Sequence, residues 1–415
     1  MSHDGPIEKT EAPTVAVAGG GAVGVTAAAD LAARGADVTL YDRSGLAAES
    51  SGRAAGVLYD AYAEDVDAAL AARAMERFRA FDRTLPEFDV SPCPYVIAVR
   101  DGDPDADAVP EMVDRMRDHG RAVSLVSPAA LAERFPIEGG DLAVAAVADG
   151  AGWCDPTSYV EAMAERARRE GVAIETGVEV GLQPGDPSTL SLDGGGGTAT
   201  RAFDAVVLAA GAHTATILAD AGIDVPVVPY RVQALTSRVA YDGPMVYDAT
   251  AGVYFRPHPT GLLAGDGTEP VAADPDAYDR DGDDWFVESV SETLRTRADH
   301  DPAVARAWAG LCTATPDGDP LVGAVAGDAS ADGDSPDRLF VAAGWQGHGF
   351  MRAPAFGEHI AEGVLASLSA SSETAAAAAK TAASPWIDAF DPGRFDGDEA
   401  FEIVEGMSVK RRRGE

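Results

Sequence analysis

Lysine is nearly absent. The 415-residue chain carries it only at positions 9, 380 and 410, so arginine supplies almost all the positive charge. Cysteine is scarce too: Cys93, Cys154 and Cys312 are an odd number and form no CxxC pair. That argues against a disulfide framework or a structural zinc site, no metal site is expected, and a reducing cytoplasm fits. No run of about 18 apolar residues occurs, so no transmembrane helix is expected. The opening MSHDGPIEKTEAPT lacks the apolar stretch of a secretory signal, and residues 1–13 read as a flexible lead-in. Basic residues number 32 against 68 acidic ones, a net charge of −36. Such a chain repels nucleic acid and anionic membranes. The charge is spread along the chain rather than gathered in a tail. That pattern suits a high-salt cytoplasm, where screening shortens repulsion to a few ångströms.

At this length two domains are expected. Thr14–Ala18 (TVAVA) has the small and β-branched character of a buried parallel strand. Gly19-x-Gly21-x-x-Gly24 follows at once, then an alanine-rich helix to Arg34 and a second strand, DVTLY, at 37–41. This βαβ unit is a dinucleotide fingerprint. Gly19 permits the tight turn, Gly21 lets backbone approach a pyrophosphate, and Gly24 lets the helix pack on the sheet. Ala22 and Val23 open the helix, whose N-terminus favours negative charge. Asp42 closes the second strand, placed to accept hydrogen bonds from ribose hydroxyls, with Arg43 beside it. By itself the unit fits FAD, NAD or NADP.

Farther along, helices are expected over 66–81, twice within 108–135, from Pro156 behind an Asp155 cap, and over 283–297 and 353–368. Residues 227–265 read as an antiparallel sheet and 266–281 as an acidic loop. Residues 369–383 read as a linker, and the KRRR run at 410–413 as a solvated tail.

Eight segments then occur in one order: the fingerprint, SSGRAAGVL (50–58), GWCDPTSYVEAMAERARREGVAI (152–174), DAVVLAAGAHT (204–214), VYFRPHPTGLLAGDG (253–267), TPDGDPLVG (315–323), LFVAAGWQGHGFMRAPAFGEHIAEGV (339–364) and WIDAFDPGRF (386–395). Together they resemble the family of FAD-dependent amine and amino-acid oxidoreductases that includes D-amino acid oxidase, glycine oxidase and sarcosine oxidase. The resemblance implies an α/β fold: a Rossmann-like FAD-binding domain (14–90, 140–225, 310–368) and a discontinuous α+β substrate domain (91–139, 226–309) on an antiparallel sheet. Residues 369–415 would be linker and tail.

The same resemblance implies FAD as cofactor. Ser50 and Ser51 would donate to phosphate, with Arg53, Ala54 and Ala55 beside the flavin. Val180 would meet the adenine, and Ala210 and Gly211 would end a cofactor-facing strand. Gly344, Gly347 and Gly349, with Phe350 and Met351, would turn backbone N–H groups toward the flavin N1–C2 carbonyl, an arrangement that stabilises negative charge. His348 stands in two readings, as a catalytic base or as a packed loop residue. Tyr254 and Arg256 share a pocket-facing hairpin.

The implied reaction is oxidation of the C–N bond of a small amino acid or secondary amine by hydride transfer to flavin N5. Two alternatives remain: an FAD-dependent 2-hydroxy-acid dehydrogenase, and a flavoprotein assembly factor or complex subunit without turnover. Several family positions are replaced here. Gly310 stands where a flavin-linked cysteine can occur. Cys312 and Met351 stand where a carboxylate-binding arginine or lysine occurs, leaving Arg256, Arg352 and Arg53 as candidates. Leu263 stands where some members carry an oxygen-activating lysine, which implies a dehydrogenase whose acceptor is a quinone or carrier protein rather than oxygen.

Overall fold

The computed structural model describes residues 12–325, 338–369, 389–397 and 399–404. The lead-in at 1–11, the Ala/Ser-rich stretch at 370–383 and the basic run at 410–413 lie outside them.

Thr14–Ala18 sits inside a six-stranded sheet. The order is Leu321–Ala324, Leu339–Ala343, Ala205–Leu208, Thr14–Ala18, Asp37–Asp42, Ala173–Thr176. All neighbours are parallel except the edge pair Leu321–Ala324 with Leu339–Ala343. Both faces are covered, which is why the central strands are apolar throughout rather than alternating. Helices Ala22–Ala33, Asp65–Thr84, Pro156–Arg169 and Gly349–Ser369 cover one face. The meander Glu179–Gln183, Asp186–Asp193, Thr198–Ala202 and helix Thr214–Asp220 cover the other. Strands lie on both sides of Thr14–Ala18, reached by chain running in opposite directions. Its carboxyl end is therefore a topological switch point, where doubly wound sheets bind ligands.

The helix layer is pinned by one carboxylate. Asp30, fully buried on Ala22–Ala33, pairs with Arg77 at 2.7 Å and Arg166 at 3.1 Å. Arg77 also donates to the Pro354 carbonyl, so four helices meet there. No helix among the described residues is long and apolar enough to cross a membrane.

The second sheet has eight strands, ordered Val304–Ala314, Val228–Ser237, Gly261–Ala272, Val253–His258, Met245–Asp248, Tyr95–Arg100, Leu142–Ala148, Val123–Val126. It is antiparallel except where Met245–Asp248 runs parallel to Tyr95–Arg100. Side chains alternate across it with period two. Tyr95, Ile97, Val99 and Tyr247 pack on one face with Tyr59, Ala61 and helix Val109–Asp118, while Val96, Ala98 and Val246 pack behind the sheet against helix Asp284–Ala298.

The structure departs from the sequence reading in three places. Leu142–Ala148 and all of Val304–Ala314 pair inside the eight-stranded sheet, whereas the resemblance assigns 140–148 and 310–314 to the FAD-binding domain. Residues 266–272, read as loop, extend the strand Gly261–Ala272, because Asp266, Glu269 and Ala272 pair with Gln233, Arg231 and Tyr230. The last helix begins at Gly349, not Ala353, with Pro354 inside it. Burial of Phe350, Ala353 and Phe356 on the fingerprint helix outweighs the hydrogen bond that Pro354 cannot make.

Candidate active site

The fingerprint turn is fixed by backbone contact. Gly19 has φ +120°, and a Cβ there would lie 2.2 Å from the Ala209 carbonyl oxygen. A Cβ on Gly24 would lie 2.0 Å from the Gly19 carbonyl oxygen. Neither position tolerates a side chain without moving main chain. Gly21 is the N-cap of helix Ala22–Ala33, and the Ala22 N–H donates to Ser51 Oγ at 3.0 Å. Asp42 Oδ2 accepts from the Gly20 N–H at 2.7 Å, and Oδ1 accepts from Ser44 and Gly45 N–H at 2.8 Å each. The carboxylate thus holds the turn and the following loop together. Ser50 Oγ donates to the Leu311 carbonyl at 2.7 Å, which ties the short helix Ser50–Arg53 to the eight-stranded sheet.

These elements wall a cavity of about 1020 Å³. Gly19, Gly21, Ala22, Val23, Asp42, Arg43, Ser50, Ser51, Arg53, Ala54, Ala55, Val180, Ala210 and Gly211 line it. So do Gly347, His348, Gly349, Phe350, Met351 and Tyr254. Three expected residues do not. Gly24 lies in the helix–strand contact, and Gly344, with φ +79°, lies under the turn, where a Cβ would meet Thr315. Arg256 is buried behind the wall, its guanidinium donating to the Ala55 and Pro257 carbonyls and lying 4.6 Å over the Trp153 ring. Burial pushes that guanidinium down to about 10, so it stays protonated while bracing the Ala55 loop.

The other two arginine candidates also have protein partners. Arg53 donates to the Ala48 carbonyl and to Glu49, both at 2.8 Å. Arg352 is 2% exposed, pairs with Asp67 at 2.7 Å and lies 4.9 Å over the Tyr62 ring. Burial pushes the Cys312 thiol up to about 12, so it stays neutral. Leu263 is buried in a small cluster with Ala234, Trp308, Ala55 and Tyr254.

The end of the cavity beside His348 is aromatic. Tyr59, Tyr62, Tyr95, Tyr247 and Tyr254 line it with Met112 and Met116. Tyr59 stands edge-on to Tyr62 and Tyr95 at 5.3 and 5.0 Å, and Tyr62 edge-on to His348 at 6.2 Å. The Tyr62 hydroxyl lies 3.1 Å from Met351 Sδ. Burial raises the Tyr59 and Tyr254 phenols, which therefore remain protonated. Arg115 reaches the wall from helix Val109–Asp118 and pairs with Glu64 at a long 3.7 Å. Sequence reasoning missed this chamber. A usable signal was present: Met112, Arg115 and Met116 recur at helical spacing, and the tyrosines at 95 and 247 point the same way on their strands.

The family model for FAD dependent oxidoreductase matches residues 14–363. The chain belongs to this family. It is 30% identical over 312 residues to subunit A1 of the anaerobic glycerol-3-phosphate dehydrogenase of Haloferax volcanii, covering 68% of this chain and 50% of that protein. It is 31% identical over 153 residues to the glycine oxidase of Pseudomonas aeruginosa, covering 37% and 39%. The chain thus spans half or less of the length of these curated relatives. The L-proline dehydrogenase of P. horikoshii superposes with a TM-score of 0.79 at 24% identity, covering 93% of this chain and 98% of that one. The glycine oxidase of Geobacillus kaustophilus gives 0.74 at 23%, covering 86% and 95%. These likenesses establish the fold of the flavoprotein.

The residues present fit FAD. The cavity is at the top of the roughly 300–1,000 Å³ range of ligand pockets. A Cβ on Gly21 would lie 3.0 Å from Ser51 Oγ, so only a glycine leaves the helix N-terminus open to the cavity there. Asp42, Val180, Gly347 and His348 line this one cavity together with the fingerprint turn, so nucleotide-binding and flavin-facing candidates share a single continuous space.

Proposed function

We propose that this flavoprotein oxidises the C–N bond of a small amino acid or secondary amine bearing a carboxylate, as a dehydrogenase. The tyrosine-walled chamber beside His348 is the observation that carries this reading. Bound FAD supplies the two-electron acceptor. The chain's own residues do the rest. Ring faces attract an alkylammonium on approach, and the uncharged phenols of Tyr59 and Tyr254 then favour its neutral amine form. Arg115 takes the carboxylate, a task for which its planar fork is suited. Leu263, an apolar residue buried beside the Ala55 loop, supplies no lysine there to activate oxygen and supports a carrier or quinone as acceptor.

A second reading rests on the Haloferax volcanii relative: oxidation of a hydroxyl-bearing anion, with His348 taking the hydroxyl proton and Arg115 the anionic group. Anaerobic bleaching of the purified holoprotein separates the two, using D- and L-amino acids, secondary amines, 2-hydroxy acids and glycerol 3-phosphate. Bleaching by an amino acid or amine, slow reoxidation on mixing with oxygen, and at least a tenfold rise in KM in Arg115→Leu are expected. Bleaching by hydroxy compounds alone supports the second reading. Rapid reoxidation by air rejects the dehydrogenase. Bleaching by none favours a subunit without turnover.

A further inference from the structure

Between strand Gly261–Ala272 and helix Asp284–Ala298 the chain leaves the eight-stranded sheet and returns to it. Both ends of the excursion are tied to that sheet. The Ala273 N–H donates to the Pro229 carbonyl, and the Ala309 N–H donates to the Arg280 carbonyl, each at 2.8 Å. Between the ties the side chains reach the other part of the molecule. Arg43 Nη1 donates to Asp276 Oδ1 at 2.9 Å, and His213 Nε2 lies 3.1 Å from the same oxygen. Arg280 grips Glu49 with two bonds, Nη1 to Oε2 at 3.0 Å and Nη2 to Oε1 at 3.1 Å. The Tyr278 hydroxyl reaches Glu49 at 3.5 Å, and the Arg280 guanidinium lies 4.8 Å over the Tyr278 ring.

The partners are the informative part. Arg43 and Glu49 lie on the loop after strand Asp37–Asp42 and His213 on a distant turn, and each is a wall residue of the FAD cavity, as are Pro275 and Asp276 themselves. Arg43 directly follows Asp42, whose carbonyl accepts from the Val178 N–H, so its contact with Asp276 falls on the Asp42 side of the cavity. A stretch dense in aspartate, on a chain with a net charge of −36, would be repelled from this face without such specific partners.

We propose that residues 273–280 form a strap from the substrate sheet that closes over the nucleotide end of FAD, with Asp276 and Arg280 as its fasteners. The strap makes retention of the cofactor depend on the sheet that builds the substrate chamber. It rests on FAD binding alone and is independent of which substrate is oxidised.

The test is the rate of FAD release from the holoprotein, read as the rise in flavin fluorescence after dilution at fixed salt. Partly exposed ion pairs contribute about 0.2–1 kcal/mol each, so each contact is worth up to about fivefold. Asp276→Asn and Glu49→Gln are each expected to speed release about threefold, and the double variant about tenfold. The melting temperature of the FAD-free protein should stay unchanged. Glu165→Gln removes a carboxylate that pairs with Arg168 on an exposed helix face, and should leave release unaltered. Release within twofold of the parent in the double variant overturns the strap. A fall in the melting temperature of the FAD-free protein equal to that of the holoprotein overturns it too, because the contacts would then be general bridges. If Glu49→Gln yields no folded protein, limited proteolysis at 273–280 decides: protection by FAD supports the strap, and equal cleavage with and without FAD rejects it.

Discussion

Acid should weaken this protein through one buried imidazole. His359 lies within helix Gly349–Ser369, 7% exposed, and desolvation pushes it from the usual 6.5 down to about 4. The unfolded chain takes up this proton as pH falls through 6.5, whereas the folded chain stays neutral until about 4. Protons therefore favour unfolding throughout that interval, and stability falls as pH falls. One pH unit is worth about 1.4 kcal/mol, so the full interval costs about 3 kcal/mol and the step from pH 7 to 4.5 slightly less. Against a typical total of about 5–15 kcal/mol this is readily measured. The comparison is urea unfolding of the parent and His359→Leu at pH 7 and 4.5. Leucine has similar bulk and does not titrate. Other groups titrate alike in both proteins and drop out of the difference. The parent should lose about 2–3 kcal/mol more than the variant. Parallel pH profiles would refute the reasoning and mean that the folded imidazole is protonated near its ordinary value.

Gly24→Ala places a methyl group 2.0 Å from the Gly19 carbonyl oxygen, so it should cost about 1–3 kcal/mol and yield protein without the visible flavin absorbance. Retained absorbance at parental FAD affinity would count against the contact. Arg352→Met leaves Asp67 buried without its cation, and should cost about 3–5 kcal/mol in thermal or urea unfolding. Adding Asp67→Asn should recover most of that loss, whereas additive losses would mean that the pair is not coupled.

The cofactor cradle was legible because its glycine spacing within one βαβ unit is itself a motif. Gly24 is dictated by the Gly19 carbonyl five residues back and Asp42 closes the adjoining strand, so the spacing could be read even though the Gly19 Cβ clash is with Ala209 on a distant strand. The Asp155 cap was equally readable, since its carboxylate accepts from the Ser158 N–H three residues on. The arginines were not. Arg256 and Arg352 look alike in sequence to any surface arginine, and only packing turns one toward the Ala55 carbonyl and the other toward Asp67. Leu142–Ala148 and residues 266–272 escaped assignment for a related reason. Their strand character comes from partners about twenty to fifty residues away, not from their own alternation. The tyrosine chamber depends on both effects, since it gathers residues from a loop, a helix and three strands.

The Asp30 contact bears on whether the nucleotide-binding turn is a portable module. Helix Ala22–Ala33 is mostly alanine, glycine and valine, with few bulky side chains to set its rotation on the sheet. Its one fully buried charge takes its two short ion pairs from outside the βαβ unit, from Arg77 and Arg166, while Arg34 inside the unit stands off at 3.9 Å. Excised at residues 14–42, the unit would keep every fingerprint glycine yet carry a stranded carboxylate on the face meant for its neighbours. Grafting the turn into another scaffold would therefore require transplanting two distant guanidinium groups with it, or replacing Asp30 by an apolar residue first.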